Sequence, residues 1–403
     1  MNRDLYIKAV ASSNSSEWQR PSDWLPMPTN ITATDQIFVG LHAVIENSDN
    51  YCAFSFTTSA GQYQVDWGDG NVTLHNSGTI AQYQYNYASI SNSTLSSRGY
   101  KQVMIKVTAV SGNLLTCNFQ QRFVTTPAQN QAYSSGFLEC ILSMPNASSG
   151  QSIALGDAYV RHAYCEKVDI KTIGNATNLP FLFYNFHSLK SVPLFNTINV
   201  TNMNSMFYGC YSLQSVPLFN TANVTHMGTM FAYCSSLQSV PLFNTANVTQ
   251  MGTMFAYCYS LQSVPLFNTI KVTNMYGMFA GCTSLQSVPL FNTIKVTNMT
   301  TMFNNCISLN FIPAFITTAV TTDFTGFANY CNSLNRILMS FNRTVALQNC
   351  QLSKDALVEI FTNLVDRTAT TSATIDITGN WGASALTSAD RLIATNKNWV
   401  ITG

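Results

Sequence analysis

Residues 213–236 read LQSVPLFNTANVTHMGTMFAYCSS, and residues 237–260 read LQSVPLFNTANVTQMGTMFAYCYS. The two stretches differ only at His226/Gln250 and Ser235/Tyr259. The phrase starts again at Leu261 and Leu285. Cysteines recur 24 residues apart at Cys210, Cys234, Cys258, Cys282 and Cys306, and then at Cys331 after one extra residue. Two weaker copies come before them. One has Phe186 in the cysteine slot, followed by Leu189, Val192 and Leu194. The other has His162 in that slot, then Cys165, Val168 and Ile170. A fixed period of this length predicts a solenoid, each unit forming one coil that stacks on the next.

The repeated slots are L-x-S-V-P-L-F-N-T-x-x-V-T-x-M-x-x-M-F-x-x-C-x-S. The leucines, valines, methionines, the Met-Phe phenylalanine and the cysteine are expected to face inward and stack like on like. Short strands are expected around V-P-L and V-T-x-M. The M-x-x-M-F-x-x-C spacing predicts one or two helical turns. Seven coils at ~4.8 Å each would make a rod of roughly 34 Å. Pro193, Pro217, Pro241, Pro265, Pro289 and Pro313 sit beside the V-P-L apolar positions. Proline offers no ladder donor, so that strand is either very short or ends there.

A chain of 403 residues leaves room for two or three domains in all. Apolar residues make up 46%, enough for a large core, while charged residues are only 9% and the net charge is +1. That balance gives no electrostatic case for nucleic acid or anionic membrane partners. No apolar run reaches membrane-spanning length, and the N-terminal residues lack the apolar segment of a secretory signal. Eleven cysteines cannot all pair within one chain, and none shows zinc-type spacing. A disulfide or metal ladder along the cysteine column competes with the simpler reading of small buried thiols.

In order, residues 1–36 read as an extended arm carrying Trp18 and Trp24 among three prolines. The arm either packs on its own domain or docks into a partner. Residues 37–126 read as an all-β sandwich. Its strands are expected at 37–45, 51–57, 63–67, 81–87, 102–110 and 114–124. At its centre lies Val65-Asp66-Trp67-Gly68-Asp69-Gly70, a tight-turn signal. Asp66 and Asp69 are too few ligands for calcium, so the turn reading is preferred. Residues 127–164 form a junction capping the first coil, and residues 165–338 form the solenoid. Residues 339–403 form a β-α-β cap with helices starting near Ser353 and Thr387.

Three resemblances follow from these residues. The W-G-D-G block, with Tyr83–Tyr87 and Val103–Thr108 after it, resembles a PKD-like immunoglobulin-fold domain, a common spacer or adhesion module. Repeats such as Asn223–Leu237 resemble the BspA-like leucine-rich repeats of bacterial surface proteins. They depart from that family by one residue in length and by V-P-L-F in the strand. The phrases Ile377-Thr378-Gly379-Asn380-Trp381-Gly382 and Trp399-Val400-Ile401-Thr402-Gly403 resemble C-terminal segments in proteins of tailed bacteriophages.

No catalytic motif is present, the five histidines are scattered, and residues 170–322 contain no Asp or Glu. A non-enzyme without cofactor or metal is expected. The variable repeat slots suggest a binding face: Tyr208, Tyr211, Tyr233, Tyr257, Tyr259 and Tyr276, with His226, Gln250, Asn274 and Asn298. An uncharged surface of rings and amides suits a glycan or a protein neighbour. These slots are equally read as solvated or self-packing positions. The resemblances imply a bacteriophage virion protein, a fibre or surface decoration. Its arm and sandwich would meet other virion proteins, and its solenoid would meet the host surface. A bacterial cell-surface adhesin and a structural cement protein are the alternatives, and a homo-oligomer is compatible with each.

Overall fold

The computed structural model describes residues 18–121, 123–124, 130–131, 135–156, 161–316 and 322–403. The first part of the expected arm, residues 1–17, therefore lies outside the described residues.

The N-terminal half is built on strands β1 (Ile37–Ile45), β2 (Tyr51–Asp66), β3 (Val72–Asn76), β4 (Ile80–Gln84) and β5 (Tyr100–Asn118). The short pair β6 (Phe123–Val124) and β7 (Asn130–Gln131) follows. Next come β8 (Phe137–Ser143), β9 (Ile153–Ala154) and β10 (Lys167–Thr172). Hydrogen bonds join all but β6 and β7 into a single sheet, along the path β10-β8-β1-β5-β2-β3, with β4 on β2 and β9 on β5. The separate strands expected at 51–57 and 63–67 are one strand, and those expected at 102–110 and 114–124 share β5, which ends at Asn118. The glycine-containing segments that read as turns are bulges instead. Pairing shifts register between Thr57 and Tyr63, where Gly61 (φ 72°) and Gly112 (φ 71°) take left-handed conformations. The bent sheet brings Phe38 of β1 within 5.0–6.4 Å of Phe54, Phe56, Phe119 and Phe137. The W-G-D-G turn is structural as expected. Asp66 accepts from the Gly68 N–H and Asp69 from the Asn71 N–H, while Trp67 is buried.

Residues 18–36 are a strap across this sheet. Trp24 is buried, and its indole N–H donates to the Tyr100 hydroxyl at 2.8 Å. Trp18 donates to Glu166 at 2.9 Å, and Arg20 pairs with the buried Glu139 at 2.7 Å. An arm that spends its tryptophans this way does not present Trp24 to a partner.

The sheet hands over directly to the solenoid. Val168 in β10 pairs in parallel with Cys140 in β8, and Val168 and Ile170 are the apolar slots of the first weak repeat. Beyond it, parallel bridges run one residue per coil: Ser152, Asn178, Asn202, His226, Gln250, Asn274, Asn298 and Asp323. A bridge from Phe324 to Val345 continues into β13 (Val345–Ala346), β14 (Ala373–Asp376) and β15 (Trp399–Thr402). The β-solenoid thus has about nine turns where seven were expected, because both flanks prolong the ladder. One apolar core extends from Phe38 to Trp399. The last turns carry α1 (Lys354–Asn363), capped by Ser353, and α2 (Ser388–Thr395), with a Thr387–Asp390 capping box.

Within a repeat the structure corrects three expectations. First, M-x-x-M-F-x-x-C is not helical. The N–H groups of Met203, Ser205, Phe207 and Gly209 donate to His226, Gly228, Met230 and Ala232 of the next coil at 2.9–3.0 Å. Those of Met206, Tyr208 and Cys210 close short turns three residues back. The next coil takes alternate donors, so a continuous i−4 ladder cannot form. Left-handed residues at Ser205 (φ 56°) and Gly209 (φ 71°) make the alternation possible. Met203, Met206, Phe207 and Cys210 still all point inward, which is why the spacing looks helical.

Second, each expected strand around V-T-x-M shrinks to a single bridging residue. In the V-P-L stretch only one pair forms, β11 (Phe311–Ile312) with β12 (Arg336–Ile337).

Third, the leucine after proline faces out. Leu194, Leu218, Leu242, Leu266 and Leu290 are 59–65% exposed. The Phe219 N–H bonds back to the Pro217 carbonyl at 3.0 Å, and Phe243 does the same to Pro241. This three-residue turn throws the leucine outward and the phenylalanine inward.

Side chains complete the stacking. Thr221 and Thr245, buried, donate to the carbonyls of Asn244 and Asn268 in the following coil at 2.9 Å. Phe207, Phe231, Phe255, Phe279 and Phe303 form a column of nearly parallel rings 5.5–5.7 Å apart.

Candidate functional site

The tyrosines form a stripe along one side of the coils. Tyr184 stacks on Tyr208 at 4.4 Å, Tyr208 tilts against Tyr233 at 5.2 Å, and Tyr233 stacks on Tyr257 at 4.6 Å. Tyr259 meets Tyr257 edge-on at 6.3 Å, and Tyr211 stacks on His187 at 4.5 Å. Tyr211, Tyr257 and Tyr259 are exposed, while Tyr208 and Tyr233 are half-buried. Packing among the rings desolvates Tyr233 and raises its hydroxyl pKa.

The backbone beneath this stripe is informative. Tyr233 (φ 63°), Tyr257 (φ 60°) and Tyr330 (φ 61°) are left-handed. The same slot holds Gly209 and Gly281, and it holds Asn at 185 and 305. A bulky residue in that conformation costs roughly 1–2 kcal/mol, which glycine avoids. Ring stacking returns only about 0.5–1.5 kcal/mol. The coil therefore accommodates these tyrosines without needing them.

The other candidate column has a different use. His226, Gln250, Asn274 and Asn298 are the bridging residues of the parallel ladder. The Oδ1 atoms of Asn274 and Asn298 accept from the N–H groups of Tyr276 and Thr300 at 2.9 Å, so these amides hold the turn. The Gln250 amide donates to Thr273 at 3.3 Å, and His226 Nδ1 lies 2.8 Å from the Thr225 hydroxyl. Tyr276 is exposed beside this ladder column, two residues past Asn274, and is not among the stacked rings described above. The asparagines of the N-V-T triplets share this structural role: the amides of Asn223 and Asn247 donate to carbonyls of the preceding coil at 2.7 and 2.8 Å.

His42 and His162 are fully buried at the junction of sheet and solenoid. Burial lowers both pKa values to about 3. Each keeps one ring nitrogen without a hydrogen-bond partner, Nδ1 of His42 and Nε2 of His162. All eleven cysteines are free and buried, and Cys210, Cys234 and Cys258 donate Sγ–H to Phe183, Phe207 and Phe231 carbonyls at 3.1 Å. Among the described residues no three His, Cys, Asp or Glu side chains converge to hold a metal. No helix among them is long and apolar enough to cross a membrane.

Two surface features escaped the sequence reading. One is the ridge of exposed leucines. The other is Trp381, read only as part of a turn, which stands 65% exposed over an open groove lined by Asn332, Ser333, Asn335 and Gln351.

With this geometry in place, comparison with known families finds one similarity. Residues 177–287 and 260–356 match a family described as Mycoplasma protein of unknown function, DUF285. The match covers the coils from the second ladder residue, Asn178, to the start of α1. It supports a repeat-type protein and assigns no activity. No curated protein matches the chain.

Proposed function

We propose that this chain is a non-catalytic attachment protein whose solenoid presents the tyrosine stripe to a glycan or protein on a cell surface. The observation that carries this reading is the placement of Tyr233 and Tyr257. They occupy left-handed positions that glycine fills in neighbouring coils, so their backbone carries a strain that the ring stacking at best offsets. Exposed, pre-stacked phenol rings with few charges nearby suit stacking on sugar or on an apolar protein patch.

The site of presentation is proposed as a bacteriophage virion, as a fibre or surface decoration. Support comes from the resemblance of the C-terminal phrases to phage proteins, and from the pairing of a PKD-like segment with BspA-like repeats. The strapped N-terminal sheet would serve as the attachment end, with its faces rather than Trp24 making the contact. A bacterial cell-surface adhesin uses the same face, and the similarity to a Mycoplasma family is the observation in its favour.

Immunogold labelling with an antibody against the solenoid separates these sites. Gold on particles released from the producing culture supports the virion reading. Gold on intact cells and none on particles overturns it in favour of the adhesin.

A further inference from the structure

The G-N-W-G turn builds a second surface site. Asn380 is buried, with its amide donating to the Leu347 and Ile377 carbonyls at 2.7 and 2.9 Å and its Oδ1 accepting from the Leu352 N–H. Gly379 is left-handed (φ 76°), and a Cβ there would lie 2.2 Å from Asn349 Oδ1. A Cβ on Gly382 would lie 2.2 Å from the Lys354 nitrogen. The turn is thus locked against the last coils from both sides. Trp381 between these glycines cannot wander. Its indole N–H donates to the Gln351 carbonyl at 2.8 Å, which fixes the ring by its edge and leaves it exposed.

Below the ring the groove has a volume of about 500 Å³. Repeat asparagines such as Asn274 and Asn298 spend their amide oxygens on turns. The side chains of Asn332, Ser333, Asn335 and Gln351 have no hydrogen-bond partner among the described residues. Both donors and acceptors are free. The lining carries no charge, and Arg336, next to Asn335 in the chain, is paired with Glu359 at 2.8 and 2.9 Å. Asn332 occupies the slot of Tyr211 and Tyr259, so the groove lies at the end of that column.

We propose that this groove binds a neutral saccharide, with a pyranose ring stacked on Trp381 and its hydroxyls bonded to Asn332, Asn335 and Gln351. A flat apolar ring answers the C–H face of a sugar, and unspent amides answer its hydroxyls. A cationic ligand would call for several rings or a carboxylate, and an anion for a cation. The groove supplies neither. The fixed turn means that little ordering is required on binding. This site is separate from the tyrosine stripe and does not depend on the virion reading.

The test uses the full chain labelled with 5-fluorotryptophan, followed by fluorine NMR. Maltohexaose, cellohexaose and chitohexaose are titrated beside glucose and N-acetylglucosamine, to tell an extended glycan from a free sugar. At least one oligomer is expected to shift the Trp381 signal saturably while Trp67 and Trp399 stay still. Trp381→Ala should weaken binding, read by calorimetry, by about tenfold or more, and Trp381→Phe by less. Leu242→Ala, an exposed residue outside both the groove and the stripe, should leave it unchanged. Melting curves of the variants should match that of the parent chain. The proposal is overturned if no sugar moves the Trp381 signal, or if binding survives Trp381→Ala.

Discussion

The Sγ of Cys234 donates to the Phe207 carbonyl at 3.1 Å, reaching back from one coil to the coil before it. The relationship repeats at Cys258, Cys282 and Cys306. The cysteine column is therefore a set of buried hydrogen-bond donors. Burial raises the thiols of Cys210, Cys234, Cys258, Cys282 and Cys306, to about 12 for Cys282. In the folded chain at pH 8 none of the eleven should react with iodoacetamide, and in urea all should. Stoichiometric labelling of the native repeats, followed by mass spectrometry, would contradict this.

The two leucines of one repeat should behave oppositely. Leu237 is buried and Leu242 is 61% exposed. Leu237→Ala is expected to cost about 2–5 kcal/mol. Leu242→Ala should stay within about 0.5 kcal/mol. Chemical denaturation compares the two directly. Equal losses would place the proline-flanked leucine inside after all.

Tyr257→Gly should not behave as an ordinary loss of a large side chain. Relief of the left-handed conformation, about 1–2 kcal/mol, offsets the lost stacking of about 0.5–1.5 kcal/mol. The expected melting temperature is close to that of the parent, while binding to the surface partner falls. A large drop in stability would mean that the tyrosine serves the coil, and the case for a functional stripe would fail.

Acid should loosen the junction between sheet and solenoid. His42 and His162 have folded pKa values of about 3, below the ordinary value of 6.5. The folded state therefore binds fewer protons than the unfolded one in this window. Stability is complete above about pH 6.5 and declines as pH falls toward 3, by roughly 1.4 kcal/mol per pH unit for each histidine. Urea midpoints between pH 6.5 and 5, above the carboxylate range, check the effect. A flat profile would show that these rings are not buried as neutral groups.

The legibility of the fold in the sequence varied by element. The 24-residue period, with its buried Phe and Cys slots, was plain because identical units must stack in register. So were α1 and α2, whose caps at Ser353 and Thr387 are local chemistry. The direction of Leu218 was not, since Val216 and Leu218 share a face in any extended strand. Only the bond from Phe219 to Pro217 reveals the turn between them. The false helix at Met203–Cys210 has a similar origin: burial spacing records which residues point inward, and not which coil takes their N–H groups. In the candidate face, the tyrosines were visible as variable slots. The structural use of Asn274 and Asn298 was hidden, as was the free groove under Trp381, because side-chain bonds leave no periodic mark.

An attachment role requires the tyrosine face to be solvent-accessible in the native assembly. Nitration of the intact particle or cell with tetranitromethane, mapped by mass spectrometry, reads this accessibility. Modification of Tyr211, Tyr257, Tyr259 and Tyr276 is expected. The buried Tyr63 and Tyr85 should remain untouched. Protection of the first four in the assembly, with full reaction in the isolated chain, would show the face packed against neighbouring subunits and would contradict an attachment role.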